Sequence, residues 1–151
     1  MYSARTISNA ILKIAHESDQ QLTNMQLQKL VYFAHGWYLA WKNEPLISDS
    51  VKAWNFGPVI PPLYNRLKKY GNDVVTEPIS GEVQLDDEKV NDFLKKVYER
   101  YRSLNGAQMS YLTHKEGTPW AETWSKDQFS VIPQDVIRNH FLSLRRPKRA
   151  R

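Results

Sequence analysis

The sequence predicts a mainly α-helical fold. One compact domain spans residues 1–144, with about six or seven helices gathered around a central buried helix at about 23–42. A small antiparallel β element and a basic C-terminal tail over residues 145–151, expected to be disordered, complete the scheme. Three observations predict it. Apolar residues recur at helical spacing in the segments 7–15, 27–41, 90–104 and 136–144. Capping and stop signals separate those segments. The 151 residues include 12% aromatics, among them 5 Trp and 8 Tyr; this is enough for one real core and excludes disorder as the dominant state.

Ser3 caps a first helix that runs to about Glu17, with Ile7, Ala10, Ile11, Ile14 and Ala15 on one face and Arg5, Asn9, Lys13 and His16 opposite. Thr23-Asn24-Met25-Gln26 is a capping-box pattern, in which the hydroxyl and the amide satisfy orphan N–H groups reciprocally. From Leu27 to Trp41 the apolar residues cover an arc of about 180°, where a surface helix needs only about 100°. That helix therefore has neighbours on two sides. Asn43-Glu44-Pro45 ends it. Alternation over Ser50–Phe56 sets Val51 and Ala53 on one side and Lys52, Trp54 and Phe56 on the other. This is a short strand closed by Gly57-Pro58, with neither face freely solvated. Pro61-Pro62 opens a short helix, which Tyr70-Gly71-Asn72 stops. Val74, Val75, Pro78, Gly81 and Val83 suggest a small hairpin within residues 73–85. A long helix then starts at Asp86 or Asp87 and reaches about Leu104, with Val90, Phe93, Leu94, Val97, Tyr98 and Tyr101 as its stripe. A shorter one covers about Gly106–Lys115. Thr118-Pro119 opens a turn or two around Trp120–Trp124, and Ile132-Pro133 opens the last helix. There Val136, Ile137, His140, Phe141 and Leu144 share a face, so His140 reads as a core histidine satisfied internally.

The formal charge of +5 resides in the tail. Of the 21 Lys and Arg, Arg145, Arg146, Lys148, Arg149 and Arg151 fall in the last seven residues, leaving 16 basic against 16 acidic in residues 1–144. A nucleic-acid-binding domain carries its positive charge on a folded face, and this body does not advertise one. Those five cations remain a possible nucleic-acid contact, with a log–log salt slope of about −4.5, against the alternative of a frayed, solubilising terminus. With no cysteine there is no disulfide, thiolate nucleophile or Cys-based metal site. No apolar run approaches 18 residues and no secretory signal opens the chain, so no membrane association and a cytoplasmic location are expected.

Catalytic patterns are missing too. GxGxxG, GxxxxGK[ST] and GxSxG do not occur. His16, His35, His114 and His140 make no zinc-ligand pair; His114-Lys115-Glu116 comes nearest, as a hydrolase or transferase reading of low weight. Asp86-Asp87-Glu88 sits at a helix start and serves the cap and the helix dipole. No residue is assigned a catalytic, cofactor-binding or metal role, and no cofactor is expected. Trp54, Phe56, Trp120 and Trp124 divide between core packing and interface anchoring.

Three stretches carry a resemblance. They are Met25-Gln26-Leu27-Gln28-Lys29-Leu30-Val31-Tyr32-Phe33-Ala34, then Ala53-Trp54-Asn55-Phe56-Gly57-Pro58-Val59 followed by Tyr64, then Thr113-His114-Lys115-Glu116 with Pro119-Trp120. In this order they resemble elements of the Panacea domain family, also described as SocA-like or GepA-like and associated with phages and plasmids. The resemblance covers about residues 4–142 and leaves the basic tail outside. It implies a small helical protein that often acts as the antitoxin of a toxin–antitoxin pair by direct contact. The SocA-type member resembles a proteolytic adaptor that delivers its toxin to a cytoplasmic AAA+ protease.

By their own chemistry the motif positions read mostly as scaffold. Leu27 and Leu30 are core by periodicity, Gly57-Pro58 redirects the chain, and Pro119 starts a helix. Tyr64 and Trp54 belong to the second element. His114 can bond a neighbouring backbone group or carry Trp120 packed on it. Lys29 and Tyr32 border the polar arc of the central helix, from which they could reach a partner. The expectation is a non-enzymatic protein-binding module, an antitoxin or proteolytic adaptor whose partners are a cognate toxin and a AAA+ protease. The alternative is a phage-associated nucleic-acid-binding or regulatory protein that uses the tail.

Overall fold

The computed structural model describes residues 1–145. Arg146, Lys148, Arg149 and Arg151 of the expected tail lie outside the described residues. The elements are α1 (Ala4–Glu17), α2 (Asn24–Lys42), β1 (Lys52–Trp54), β2 (Gly57–Val59), α3 (Pro61–Leu67) with a 3-10 turn over Lys68–Tyr70, α4 (Glu88–Tyr101), α5 (Gly106–His114), α6 (Pro119–Lys126) and α7 (Gln134–Arg145). The fold is mainly α, with seven helices and one two-stranded antiparallel sheet among the described residues.

Side-chain oxygens at the preceding residue start five of these helices. Ser3 Oγ accepts from Thr6 N–H at 3.0 Å, Asp87 Oδ1 from Lys89 and Val90 N–H, and Thr118 Oγ1 from Ala121 N–H. Thr23 and Gln26 close the reciprocal capping box, with Thr23 N–H donating to Gln26 Oε1 at 2.9 Å and Gln26 N–H to Thr23 Oγ1 at 3.3 Å. Asn105 and Gln108 make a second one at the start of α5, a pattern the sequence reading passed over. Pro61 and Pro62 open α3, where their missing N–H groups would have been orphans in any case.

α2 is the axis of the molecule: α1, α3, α4, α5, α7 and β2 all pack against it. Every residue from Gln26 to Gly36 is buried, so the enclosed arc exceeds the two-sided burial expected. The closest approach is by α7. The ring of Phe141 lies so near Gly36 that a Cβ there would stand 2.1 Å from it. The same ring meets Tyr32 and Trp37 edge-on. Arg145, expected in the tail, is the last residue of α7, and its guanidinium donates to Ala40 O at 3.4 Å.

β1 pairs with β2 in the register Lys52↔Val59, Ala53↔Pro58, Trp54↔Gly57. Pro58 fits because its partner needs nothing from it. Ala53 N–H and C=O turn to the opposite edge, to Ser130 O and Phe129 N–H, both at 2.9 Å. Residues 129–132 thereby cover the free side of β1, with Ile132 N–H bonded to Val51 O.

The hairpin expected within residues 73–85 is not formed. Its only β-type contact is an isolated bridge from Val74 to Thr23. The segment runs instead as a strap along α1, whose side chains take the place of a second strand. Asn9 Nδ2–H donates to Ile79 O at 2.9 Å while Ile79 N–H donates to Asn9 Oδ1 at 2.7 Å, and Thr6 Oγ1 bonds Val83 O. Pro78 and Gly81 interrupt any ladder that residues 73–85 could make with themselves.

Candidate functional site

The three sequence elements that carry the resemblance meet at the β1–β2 hairpin, where polar side chains from three helices grip its backbone. From α2, Lys29 Nζ donates to Pro58 O at 2.9 Å and Gln28 Oε1 accepts from Ile60 N–H at 3.2 Å. From α5, Ser110 Oγ donates to Phe56 O at 3.3 Å. From α6, Trp120 Nε1–H donates to Trp54 O at 2.5 Å. Leu27 and Leu30, fully buried, fix the face of α2 that carries Gln28 and Lys29. Tyr64 on α3 meets the Trp54 ring edge-on.

Gly57 makes the clamp possible. Its φ is +121°, a value that L side chains rarely adopt, and a Cβ there would stand 3.1 Å from Lys29 Nζ and 3.5 Å from Thr113 Oγ1. Pro119 gives α6 its first residue and is buried. His114 Nδ1–H donates to Ser110 O at 2.5 Å, and its ring meets Trp120 edge-on at 5.6 Å. A carbonyl only accepts, so Nδ1 carries the proton in this bond. Among the described residues no three His, Asp or Glu side chains converge in a way that could hold a metal ion.

Lys29 and Tyr32 do not border a polar arc. Lys29 is 4% exposed and Tyr32 is 2% exposed, so neither reaches a partner. Burial alone pulls the Lys29 ammonium down to about 8, and burial with the neighbouring Tyr101 pushes the Tyr32 phenol well above its ordinary value. The positive charge is thus spent on a backbone carbonyl inside the fold. The sequence reading also missed His35, which is fully buried on α2. Its Nδ1 accepts from Ile47 N–H at 3.4 Å and its Nε2–H donates to Gln134 Oε1 at 2.7 Å, while burial holds its pKa below the usual value. The uninterrupted burial of α2 was the signal that could have found it. His140 is not a core histidine: it is half-buried at the edge of Phe141, and burial together with the Lys115 charge lowers its pKa.

The clamp projects an aromatic ledge outward. β1 ends at Trp54, so Phe56 falls in the turn and stands 75% exposed, against the expectation that neither face of the segment is freely solvated. Beside the hairpin Trp120 stacks on Trp124 at 5.4 Å, and Trp124 meets Phe129 edge-on at 5.2 Å. Phe129 is itself more than half exposed. This is an apolar surface whose backbone is held at Trp54 O, Phe56 O and Pro58 O, suited to burying area against another macromolecule.

A family described as "Antitoxin SocA-like, Panacea domain" matches residues 27–121, which takes in the clamp, the second and third elements and all but Met25 and Gln26 of the first, and leaves α1 and α7 outside. The Antitoxin SocA of Caulobacter vibrioides (strain NA1000 / CB15N) is 30% identical over 127 residues, covering 78% of this chain and 68% of that relative. No solved structure matches the chain.

Proposed function

Because the chain belongs to the antitoxin SocA-like, Panacea domain family, we propose that it neutralises a protein partner, a toxin, by direct contact through the ledge around Phe56. An antitoxin-like role in general follows from the family. The single observation behind the choice of surface is the large exposure of Phe56 on a turn whose backbone is held from three helices. An anchor already fixed in place loses little freedom on binding. In this reading the chain does no bond chemistry of its own, and a total buried area of about 1,200–2,000 Å² suffices. Neutralisation takes one of two forms, occlusion of the toxin or its delivery to a AAA+ protease.

The test is co-expression with the product of the neighbouring reading frame. Rescue of growth and a stoichiometric complex are expected, and Phe56→Ala is expected to weaken that complex by about 2 kcal/mol with its melting temperature unchanged. A partner whose half-life shortens in the presence of the chain identifies delivery; one that accumulates in an inert complex identifies occlusion. No rescue and no stoichiometric complex overturns the proposal.

A further inference from the structure

A second surface lies away from the hairpin. Between the end of α2 and the outer face of α4 runs a groove of about 760 Å³. Its floor is aromatic: Trp41 stacks on Phe93 at 5.3 Å and 14°, and Tyr38 meets both edge-on. Trp41 is 49% exposed, the most open tryptophan of the chain. Its walls are cationic. Among the described residues Lys42, Lys89, Lys96, Arg100 and Arg145 line it against Asp87 and Asp92, with Glu44 also near Tyr38, and Asp87 is already engaged in capping α4. Two of the cations rest on rings, Lys42 over Trp41 at 4.4 Å and Arg100 over Trp37 at 4.7 Å.

We infer that this groove docks an acidic amphipathic segment of a protein partner, one whose apolar side chains enter the Trp41–Phe93 floor while its carboxylates meet Lys42, Lys96, Arg100 and Arg145. Charge complementarity selects the occupant. An excess of cations around an apolar floor suits a helix that presents Leu or Phe at i, i+3, i+4 and i+7 with Glu or Asp alongside. A second copy of this chain would set the same positive walls against each other. Single-stranded nucleic acid needs free ring faces to stack on, and here the Trp41 face is taken by Phe93 and Lys42, with Asp92 on the rim. The inference rests on the protein-contact reading above but uses a different surface.

The five tryptophans make the test direct, because Trp37 and Trp41 line this groove while Trp54, Trp120 and Trp124 sit at or beside the hairpin. The probe is a synthetic 18-residue helix-forming peptide with Leu and Phe on one face and Glu and Asp on its flanks, titrated into the isotope-labelled full chain by NMR. The indole N–H signals of Trp37 and Trp41 are expected to shift while the other three stay in place. Binding should weaken with added salt and fall at least tenfold in the Lys96→Glu/Arg100→Glu variant. Lys96→Glu alone serves as the milder version if the pair perturbs α4. The same peptide with Lys for every acid should not bind. The inference is overturned by no indole shift at millimolar peptide, by shifts at Trp54, Trp120 or Trp124 instead, or by equal binding of the basic peptide. Stronger Trp41 shifts with a twelve-nucleotide oligothymidylate overturn it in favour of nucleic acid, and self-association through the groove in sedimentation overturns it in favour of a homodimer. Two variants separate the surfaces: Lys96→Glu/Arg100→Glu is expected to lose the peptide and Phe56→Ala to keep it. Peptide binding undiminished by Lys96→Glu/Arg100→Glu therefore refutes the groove alone, and a partner complex undiminished by Phe56→Ala refutes the ledge alone.

Discussion

The two halves of α2 behave in opposite ways. From Gln26 to Gly36 the helix is buried on every side although it carries Gln28, Lys29 and His35. From Trp37 to Lys42 it is rich in aromatics, yet Trp41 stands half in water. Hydrophobicity along the helix therefore does not decide burial; the neighbours do. α5, α7 and β2 close around the first half, where Gln28, Lys29 and His35 each bond a backbone group of the segments around them, His35 also reaching the Gln134 side chain, while the Tyr32 hydroxyl is buried without a partner among the described residues. The second half has α7 bonded to it, through Arg138 to Leu39 O and Arg145 to Ala40 O, and an open groove where it faces α4. Buried residues of the family elements brace the fold, while Phe56 of the second element and Trp41 near the end of α2 stay exposed.

Perturbations of the first half should be expensive and those of the outer surfaces cheap, in a definite order. Phe141→Ala should cost about 3–5 kcal/mol in urea unfolding, since it empties the site where α7 meets Gly36. Gly36→Ala should cost about 1–3 kcal/mol by overpacking, and less in a Phe141→Leu background; additive costs would show that the ring and the glycine are not in contact. Lys29 comes next, through pH. Below about pH 8 both folded and unfolded chains hold the proton, so the folded state bears the whole penalty of burying the ammonium. Between about 8 and the unfolded value of about 10.4 only the unfolded chain keeps it, and stability rises with pH. Relative to Lys29→Met, the native chain should gain roughly 2–3 kcal/mol from pH 7.5 to pH 10. Parallel profiles for the two proteins would mean that Lys29 is solvated.

Smaller effects should follow at the clamp and beyond it. Trp120→Phe keeps the ring but deletes the donor to Trp54 O, and about 1 kcal/mol of stability should go with it in thermal melts. Phe56→Ala should change stability by less than about 0.5 kcal/mol while giving the largest loss of partner binding. A Phe56 variant that unfolds easily would place the turn inside the core and erase the contrast drawn here.

Much of the helical scaffold was legible in the sequence because local chemistry specifies it. The Thr23/Gln26 box, the Ser3 and Thr118 caps and the Pro61-Pro62 start are decided within four residues of chain. What was illegible depends on distant partners. Periodicity placed Lys29 at the edge of a polar arc, and only the arrival of Pro58 from the hairpin turns that edge inward. The strand propensity of Val74, Val75 and Val83 was real, but Asn9, on a face of α1 that reads as solvent-exposed, supplied both bonds a partner strand would have made. His140 fell on an apolar stripe that α7 shares only in part with the core, where Ile137 and Phe141 are its buried residues. The groove was hidden for the same reason: Trp41 continues the apolar spacing of α2, yet with Phe93 and Tyr38 against its ring it stays half exposed.

The strap over residues 73–85 has a consequence of its own. Only Val75 and Ile79 sink into the core there, and the segment is otherwise fastened by polar contacts: the Asn9 amide, the Thr6 hydroxyl, Val75 N–H to Leu22 O, Arg66 to Ser80 O, and Ser3 and Arg5 to the Glu82 carboxylate. With only two side chains in the core, the strap is expected to open while the helices stay assembled, and native-state hydrogen exchange would register that opening below the global unfolding free energy. Because loop entropy grows only with the logarithm of length, each doubling of the segment near Gly81 adds about 0.6 kcal/mol. That corner is where the molecule can lodge a passenger sequence without disturbing either of its outward-facing surfaces.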